Sequence, residues 1–507
     1  MRPPHLALKL YAAWLDARMR RAIARPREAQ ARLLAAMIAE YQGTEVGRRL
    51  GLAGIDSPEA FRARVPVTDE TLYQPLCQQA LECNPQDLVT RGTLRHMARS
   101  SGTTKASKLV AFSRPLIKAY KRYETAVDMH TMRELGCYDL LDAQLLITAG
   151  SPSVETTPSG VVIGYGTGIM TTQAPAVARS IVRPTREILE MTDWEAKLEA
   201  TVRQALPLDI RAMTGVPLFA VQVLERLLAY AREQGRPVAN AQELWPNLRV
   251  YYWSGSPIDL YEDRLRALLG PDVAFRELYT CTESPLGYQY RFGEPGNLLN
   301  LTDTYFEFQP ADGSIDAPRL GVEAVEVGVP YRVLISTWGG LFAYRLGDRV
   351  EFVSTDPPLV RIVGRERDEI SLGYEHIGKA MIERALGAVA AAEGQRVLNY
   401  FVGPARAAAG EKQAYHWYLE LDQPPADPAA WRRGLDEQLA ALHPMYASMR
   451  EGDTVLLPPR LTVLPAGTID RYVLDTRQFG QGKFLHLYNQ WDVPEAIERY
   501  AGLTAEA

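Results

Sequence analysis

Arg99-Ser100-Ser101-Gly102-Thr103-Thr104-Lys105-Ala106-Ser107-Lys108 sets five hydroxyl side chains, one glycine and two lysines in one short run. That composition suits an anion. Gly102 lets the backbone turn and approach a ligand closely, and successive N–H groups with the hydroxyls of Ser101, Thr103 and Thr104 can donate to phosphate oxygens. The flanks Leu94–Ala98 and Leu109–Phe112 carry apolar strand patterns, so the polar run reads as the tight loop between two strands. The Gly-x4-Gly-Lys-Ser/Thr spacing of a Walker loop is absent. A solvated Ser/Thr turn is the plain alternative, and the motifs downstream favour the phosphate reading.

At 507 residues the chain exceeds one small core, and two or three domains are expected. A 47% apolar and 23% charged composition with net charge −5 is that of an ordinary globular chain with no overall basic field for nucleic acid. Cys77, Cys83, Cys137 and Cys281 form no Cys-x-x-Cys pair, which favours free thiols in a reducing compartment. The seven histidines lack metal-site spacing. No apolar run approaches the roughly 18 residues needed to span a bilayer, and a cytoplasmic protein without membrane or nucleic-acid partners is expected. Arg18, Arg20, Arg21, Arg25 and Arg27 read as the wet side of a docked helix carrying Leu6, Leu8, Leu10, Tyr11, Trp14, Leu15, Met19 and Ile23.

Residues 1 to about 50 read as two helices, the second ended by Gly51, and Ser57 and Thr68 as N-caps of the next two. Strands at Leu140–Thr148, Gly160–Ile163, Ile210–Thr214, Leu248–Trp253 and Val273–Tyr279 alternate with helices, the pattern of a parallel α/β body. Such sheets bind ligands at the carboxyl ends of their strands. Gly164-Tyr165-Gly166-Thr167-Gly168 lacks a full dinucleotide fingerprint and reads as a flexible loop. From Tyr305 to Val363 short strands with Gly and Pro turns suggest a β-rich lobe; the charged run Arg365–Glu369 reads as a boundary, and a small α+β domain follows.

Two further motifs carry chemistry. In Tyr279-Thr280-Cys281-Thr282-Glu283 a ring can stack on a purine, Thr282 can donate to phosphate, and Glu283 offers the hard oxygen that Mg²⁺ prefers. In Tyr344-Arg345-Leu346-Gly347-Asp348 a carboxylate after a glycine turn can accept from both ribose hydroxyls.

The order Ser100–Thr104, Ser254-Gly255-Ser256-Pro257, Tyr279–Glu283 and Tyr344–Asp348 resembles the adenylate-forming enzymes. Within them the chain most resembles the Gretchen Hagen family of acyl acid amido synthetases, the auxin-conjugating enzymes of plants and their bacterial relatives. The resemblance extends to Asp209-Ile210-Arg211, Thr214-Gly215-Val216-Pro217, Val363-Gly364-Arg365, Tyr446, Arg450, Gly467 and Gly482-Lys483. Lys105-Ala106 stands where the family usually has another glycine, and Thr280-Cys281 where small residues are common.

The resemblance implies an α/β fold with a large N-terminal adenylating domain over 1–363, a hinge over 364–371 and a smaller mobile α+β C-terminal domain over 372–507. It implies an ATP- and Mg²⁺-dependent ligase that activates a small carboxylic acid as its acyl adenylate and passes the acyl group to an amino acid or other amine. Lys483, Glu283 and Thr104 would be catalytic, with Glu283 on the metal. Ser100, Ser101, Gly102, Thr103, Thr104, Lys108, Ser254, Gly255, Tyr279, Thr282, Asp348 and Arg365 would hold ATP, and Thr214, Gly215 and Val216 the acyl group. Transfer to coenzyme A or a carrier thiol, and a non-catalytic nucleotide-binding protein, are the alternatives.

Overall fold

The computed structural model of the chain describes residues 3–99, 108–174, 176–191, 193–255, 258, 261–311, 317–365, 369–370, 372, 375, 377–405, 412–453, 456–476, 484–489 and 491–503. They fall into two compact units, one of Met1–Leu346 with Val350–Ile362, the other chiefly of Val363–Arg477 and Phe484–Ala507 with Gly347–Arg349.

The first unit opens with helices α1 (Pro3–Ala24), α2 (Pro26–Tyr41), α3 (Glu45–Arg49), α4 (Pro58–Arg64) and α5 (Glu70–Glu82). The second helix thus ends at Tyr41, and Gly51 (φ 61°) follows the short α3 instead. Ser57 caps α4 as expected, its side chain accepting from the Ala60 N–H. Thr68 does not cap α5. Its hydroxyl donates to the Phe342 carbonyl at 2.7 Å, and Asp69 takes the cap by accepting from the Thr71 N–H at 2.9 Å. On α1 the docking face is Ala12, Leu15, Met19 and Ala22, and the first and third of the larger apolar residues expected there, Leu6 and Leu10, are exposed together with Tyr11 and Trp14.

Strands β1 (His96–Arg99) and β2 (Leu109–Ala111) pair antiparallel and flank the polar run, as expected of its two apolar flanks. With β4 (Glu155–Thr156) and β5 (Val162–Tyr165) they form a four-stranded sheet in which β1 and β5 run parallel. Helix α6 (Arg114–Leu135) separates β2 from β3 (Gln144–Ile147), and α7 (Gly166–Thr172) continues directly from β5.

The large sheet has the order β12-β13-β14-β15-β11-β10-β9-β8-β7-β3-β6. Its strands are β3, β6 (Val182–Arg183), β7 (Ile210–Gly215), β8 (Val250–Trp253), β9 (Ala274–Thr280), β10 (Pro285–Gln289), β11 (Asn297–Leu299), β12 (Thr304–Pro310), β13 (Pro330–Thr337), β14 (Tyr344–Thr355) and β15 (Pro358–Arg365). From β6 through β9 every pairing is parallel. The β-rich stretch expected from Tyr305 to Val363 is present as β12 to β15, long strands that continue the same sheet, joined where Asn297 of β11 pairs with Val360 of β15. Helix α6 packs on α1 and, through Tyr123, Val127 and Met132, shares a buried cluster with Ala212, Val250 and Tyr252 of the sheet.

In the second unit a hairpin of β16 (Glu369–Ile370) and β17 (Ile377–Gly378) precedes a sheet of β18 (Val397–Pro404), β19 (Tyr415–Leu421) and β20 (Arg460–Leu464). Both faces are covered, because successive side chains of a strand point opposite ways. Tyr400, Val402, Trp417 and Leu419 pack with the helices Lys379–Glu393 and Pro428–Leu442, whereas Phe401 and Tyr418 pack with Ile469 and Ile497 of two later helices. Among the described residues no helix is long and apolar enough to cross a membrane, and all four cysteines are free.

Candidate active site

The carboxyl edge of the parallel strands gathers most of the expected residues that are described. Register pairs Ile147 with Thr214, Thr214 with Tyr252, and Gly215 with Trp253, so the segments beginning at Thr148, Val216 and Ser254 leave the sheet side by side. Gly255 sits at φ +90°, a backbone that suits glycine. Gly215 is required for another reason: a Cβ there would lie 1.8 Å from Thr148 Oγ1. Gly215→Ala is therefore expected to destabilise the protein by about 1–3 kcal/mol, read as a lower melting temperature, with part of the loss recovered in the double variant carrying Thr148→Ala; an unchanged melting temperature would show that the strand ends can part.

Beyond β9 the chain turns through Cys281–Ser284 into β10. The turn is fastened at both feet. The Cys281 N–H donates to the Ser284 carbonyl at 3.2 Å, Ser284 Oγ shares a 2.7 Å hydrogen bond with Thr304 Oγ1, and the Tyr120 hydroxyl of α6 donates to the Cys281 carbonyl. Thr282 and Glu283 are left half-buried at its crest. Tyr120 stacks on Phe112, just after β2, with centroids 5.8 Å apart. Gly166, where β5 enters α7, is so close that an added Cβ would stand 3.3 Å from the Phe112 ring and 4.0 Å from Thr282.

The flanks of the polar loop, α6, the start of α7 and the Thr282–Glu283 turn therefore converge. This corrects the reading of Gly164–Gly168 as a flexible loop: it is the end of a strand and the start of a helix, and a Cβ at Gly164 or Gly168 would strike backbone oxygens at 2.1 and 2.3 Å.

Ser100, Ser101, Gly102, Thr103 and Thr104 lie outside the described residues, as do Ser256, Pro257, Gly482 and Lys483. Lys108 is described and forms a 2.9 Å ion pair with Glu70 at the start of α5. Tyr279 is only 4% exposed and belongs to the main core, so here its ring offers packing and no open face for a purine.

In the second unit, Gly347 (φ +87°) turns the strand before Asp348. Asp348 Oδ1 meets Arg365 Nε at 2.9 Å, the carboxylate being nearly buried and the guanidinium partly exposed. The two residues expected on ATP are thus partners of each other. Arg349 reaches Glu369 at 2.6 Å in the same way. Other residues of the family resemblance are structural: Arg450 forks onto Asp436 at 2.8 and 2.9 Å, Tyr446 donates to the same carboxylate at 2.6 Å, and the Gly467 and Ile469 N–H groups donate to Glu420. At the amino end of β7, Arg211 pairs with Asp209 and Asp139.

The sequence reading missed Tyr120, Glu124 and Asp128 on α6 and Tyr252 on β8. Burial pushes the Asp128 carboxyl up to about 7 and raises both tyrosines, whereas Glu124 stands exposed on α6. The Tyr252 hydroxyl donates to Asp128 Oδ1 at 3.0 Å. The signal was the spacing of four between Tyr120, Glu124 and Asp128, which aligns them on one helix face.

Among the described residues no group of three or more His, Cys, Asp or Glu side chains could hold a metal. A single carboxylate such as Glu283 is what Mg²⁺ needs from a protein when substrate phosphates supply its other ligands, so the residues present fit a nucleotide-borne Mg²⁺ and not a resident metal.

This fold is that of the adenylate-forming ligases: a solved 2-hydroxyisobutyryl-CoA ligase in its postadenylation state superposes with a TM-score of 0.59 at 16% identity over 95% of this chain and 93% of its own. The chain belongs to the GH3 family, matching the family's N-terminal domain over residues 16–226, its central domain over 298–365 and its C-terminal domain over 380–490. A solved GH3.15 acyl acid amido synthetase superposes with a TM-score of 0.77 at 14% identity over 93% of each chain. In sequence the chain is 25% identical over 467 residues, 75% of each protein, to a probable indole-3-acetic acid-amido synthetase, GH3.12, of Oryza sativa subsp. japonica. It is also 25% identical over 381 residues to the jasmonoyl-L-amino acid synthetase GH3.3 of the same plant, covering 61% of this chain and 81% of the relative.

Proposed function

We propose that the chain joins a small carboxylic acid to an amino acid or other amine at the expense of ATP. The observation that carries this reading is the convergence of Phe112, Tyr120, Gly166 and Thr282, with Arg99, the residue before the polar run, in register with Tyr165 next to Gly166. In the first step a carboxylate oxygen attacks the α-phosphorus, the bond to the β-phosphate breaks, and acyl adenylate and pyrophosphate result. The carboxylate is already a nucleophile, so the protein's task is to position it and stabilise charge. In the second step a neutral amine attacks the activated carbonyl, the amide forms and AMP leaves.

Ser100, Ser101, Gly102, Thr103 and Thr104, with Thr282, hold the phosphates, and Ser254 and Gly255 border the nucleotide, while Tyr279 packs in the core behind them. Thr214, Gly215 and Val216 border the acyl group. Mg²⁺ held through Glu283 would neutralise phosphate charge. Asp348 takes the ribose hydroxyls while Arg365, its ion-pair partner, fixes the carboxylate. Lys108 belongs to the loop's foot through Glu70. Residues 1–363 form the adenylating domain, 364–371 the hinge and 372–507 a lid that brings Lys483 to the reacting groups; the reaction is cytoplasmic.

Incubation of the purified protein with ATP, a panel of carboxylic acids, and either mixed amino acids or coenzyme A, read by mass spectrometry, tests the acceptor. Amides with stoichiometric AMP are expected. Thioesters without amides would reassign it.

Asp348→Ala is expected to raise KM for ATP about tenfold or more with kcat near that of the parent, because ribose contacts are made equally in ground and transition states. Steady-state exchange kinetics check this. A fall in kcat at unchanged KM would move Asp348 to the reaction centre.

A further inference from the structure

Helix α1 is fastened to the body along its inner face. Ala12, Leu15, Met19 and Ala22 are buried there. Lys9 pairs with Asp142 at 2.7 Å, Asp16 with Arg133 of α6 at 2.6 Å, and Arg18 donates to the Thr302 carbonyl at 2.8 Å. The opposite face is apolar where water should be. Leu6 is 50%, Leu10 65% and Trp14 52% exposed, and their spacing of four sets them in one line along the helix. Ala13 is exposed beside them, and Tyr11, 44% exposed, stacks its ring on that of Trp14 with centroids 5.9 Å apart. Four of the eleven large apolar side chains exposed among the described residues thus share one stretch of one helix. Single exposed apolar residues are ordinary, and a continuous stripe on a docked helix is not.

The stripe runs into arginine. Two turns after Trp14 the same line carries Arg21, which is exposed, donates to the Ala17 carbonyl at 3.2 Å and meets no acid among the described residues. Arg20 beside it is 60% exposed, and Arg25, just past the helix, 73%. Over residues 1–41 eight Lys and Arg stand against three Asp and Glu, a surplus of positive charge in a chain whose net charge is −5. Apolar and aromatic side chains followed by cations along one face match a surface that is itself apolar beneath an anionic layer. A second copy of the chain matches poorly. A two-fold axis across the helix would lay Leu6 and Leu10 against arginine, and one along it would set Arg21 against Arg21.

We propose that the outer face of α1 binds the surface of an anionic lipid bilayer, with Leu6, Leu10, Tyr11 and Trp14 among the headgroups and Arg20, Arg21 and Arg25 on lipid phosphates. A helix that lies on a bilayer needs no spanning run, so the absence, among the described residues, of any helix able to cross a membrane leaves this role open. The inference does not rest on the ligase reading.

The test is sedimentation of the full chain with vesicles of phosphatidylcholine alone and of phosphatidylcholine with about 30% phosphatidylserine. The parent is expected to prefer the phosphatidylserine vesicles by about tenfold or more, and added salt to release it, because exposed charges are screened. Leu10→Ser/Trp14→Ser and Arg21→Glu/Arg25→Glu should each weaken binding about tenfold while the melting temperature and ATP–pyrophosphate exchange stay at parental values. Acyl-brominated lipid in the anionic vesicles should quench part of the tryptophan emission of the parent and less of that of Trp14→Phe. Equal sedimentation of the parent with both vesicles overturns the proposal and needs no variant to fold; anionic binding that both double variants retain overturns it as well. A lipid-free dimer that Leu10→Ser/Trp14→Ser dissolves, seen by sedimentation velocity, would give the face to a second copy and overturn it too.

Discussion

Lys483→Ala is expected to lower acid-dependent ATP–pyrophosphate exchange by about 10²–10³-fold, roughly 3–4 kcal/mol, the usual effect of removing a preorganised cation from developing charge. Gly480-Gln481-Gly482 precedes this lysine in the sequence, and the family resemblance implies that it meets phosphate or acyl oxygens during the first step. A lysine of that kind serves the step in which charge accumulates at the α-phosphate and matters less once the acyl adenylate exists. Amide formation from pre-made acyl adenylate should therefore survive in part. A solvated surface lysine, by contrast, contributes almost nothing. If exchange and amide formation both stay within about twofold of the parent, below ~0.5 kcal/mol, Lys483 lies outside the active site and the C-terminal domain supplies no catalytic group.

Glu283→Gln is expected to reduce adenylation by about 10³-fold or more while the melting temperature stays near that of the parent. The substitution keeps size and shape and removes only charge. Glu283 stands half-buried on the crest of a turn whose feet are held by Cys281, Ser284, Thr304 and Tyr120, so its side chain is not what holds the turn. Substitutions at such positions usually change stability by no more than about 0.5 kcal/mol, whereas the loss of the hard anionic ligand proposed for the nucleotide's Mg²⁺ would weaken that ion's hold. Pyrophosphate release at the parental rate would remove Glu283 from the metal.

The parts of this fold that were legible in the sequence are those specified locally. The polar run between apolar flanks announces two strands and a loop, and β1 and β2 are there. The parallel body is legible because each strand runs into a turn and a helix. What was not legible depends on residues far away in the chain. Thr68 has the chemistry of an N-cap, but its hydroxyl is drawn to the Phe342 carbonyl, 274 residues distant, and Asp69 takes its place. The strands after Tyr305 are legible as β-rich, but that they extend the large sheet depends on the pairing of Asn297 with Val360. Gly164 to Gly168 look pliant by composition, and the contacts that demand glycine come from the carbonyls of Gly150 and Pro152.

The same division holds at the site. Thr282 and Glu283 are recognisable from their spacing after a strand, and the turn presents them together. Lys108 is recognisable as part of the anion loop from its spacing, whereas its ion pair with Glu70 of α5 depends on the fold. The row Tyr120, Glu124 and Asp128 escapes a search for apolar periodicity, since α6 buries Tyr123, Val127 and Met132 on an adjoining stripe and reads as an ordinary core helix. Only the Tyr252 hydroxyl, arriving from β8, shows that Asp128 is turned toward the sheet.

The central claim is that a carboxylate oxygen becomes bonded to the α-phosphorus. Supplying an activated acid labelled with ¹⁸O in both carboxylate oxygens, with ATP and an amine, and reading the products by mass spectrometry, tests it most directly. One labelled oxygen in AMP, one in the amide and none in pyrophosphate is the predicted result. Unlabelled AMP, or ADP with label in inorganic phosphate, would contradict it.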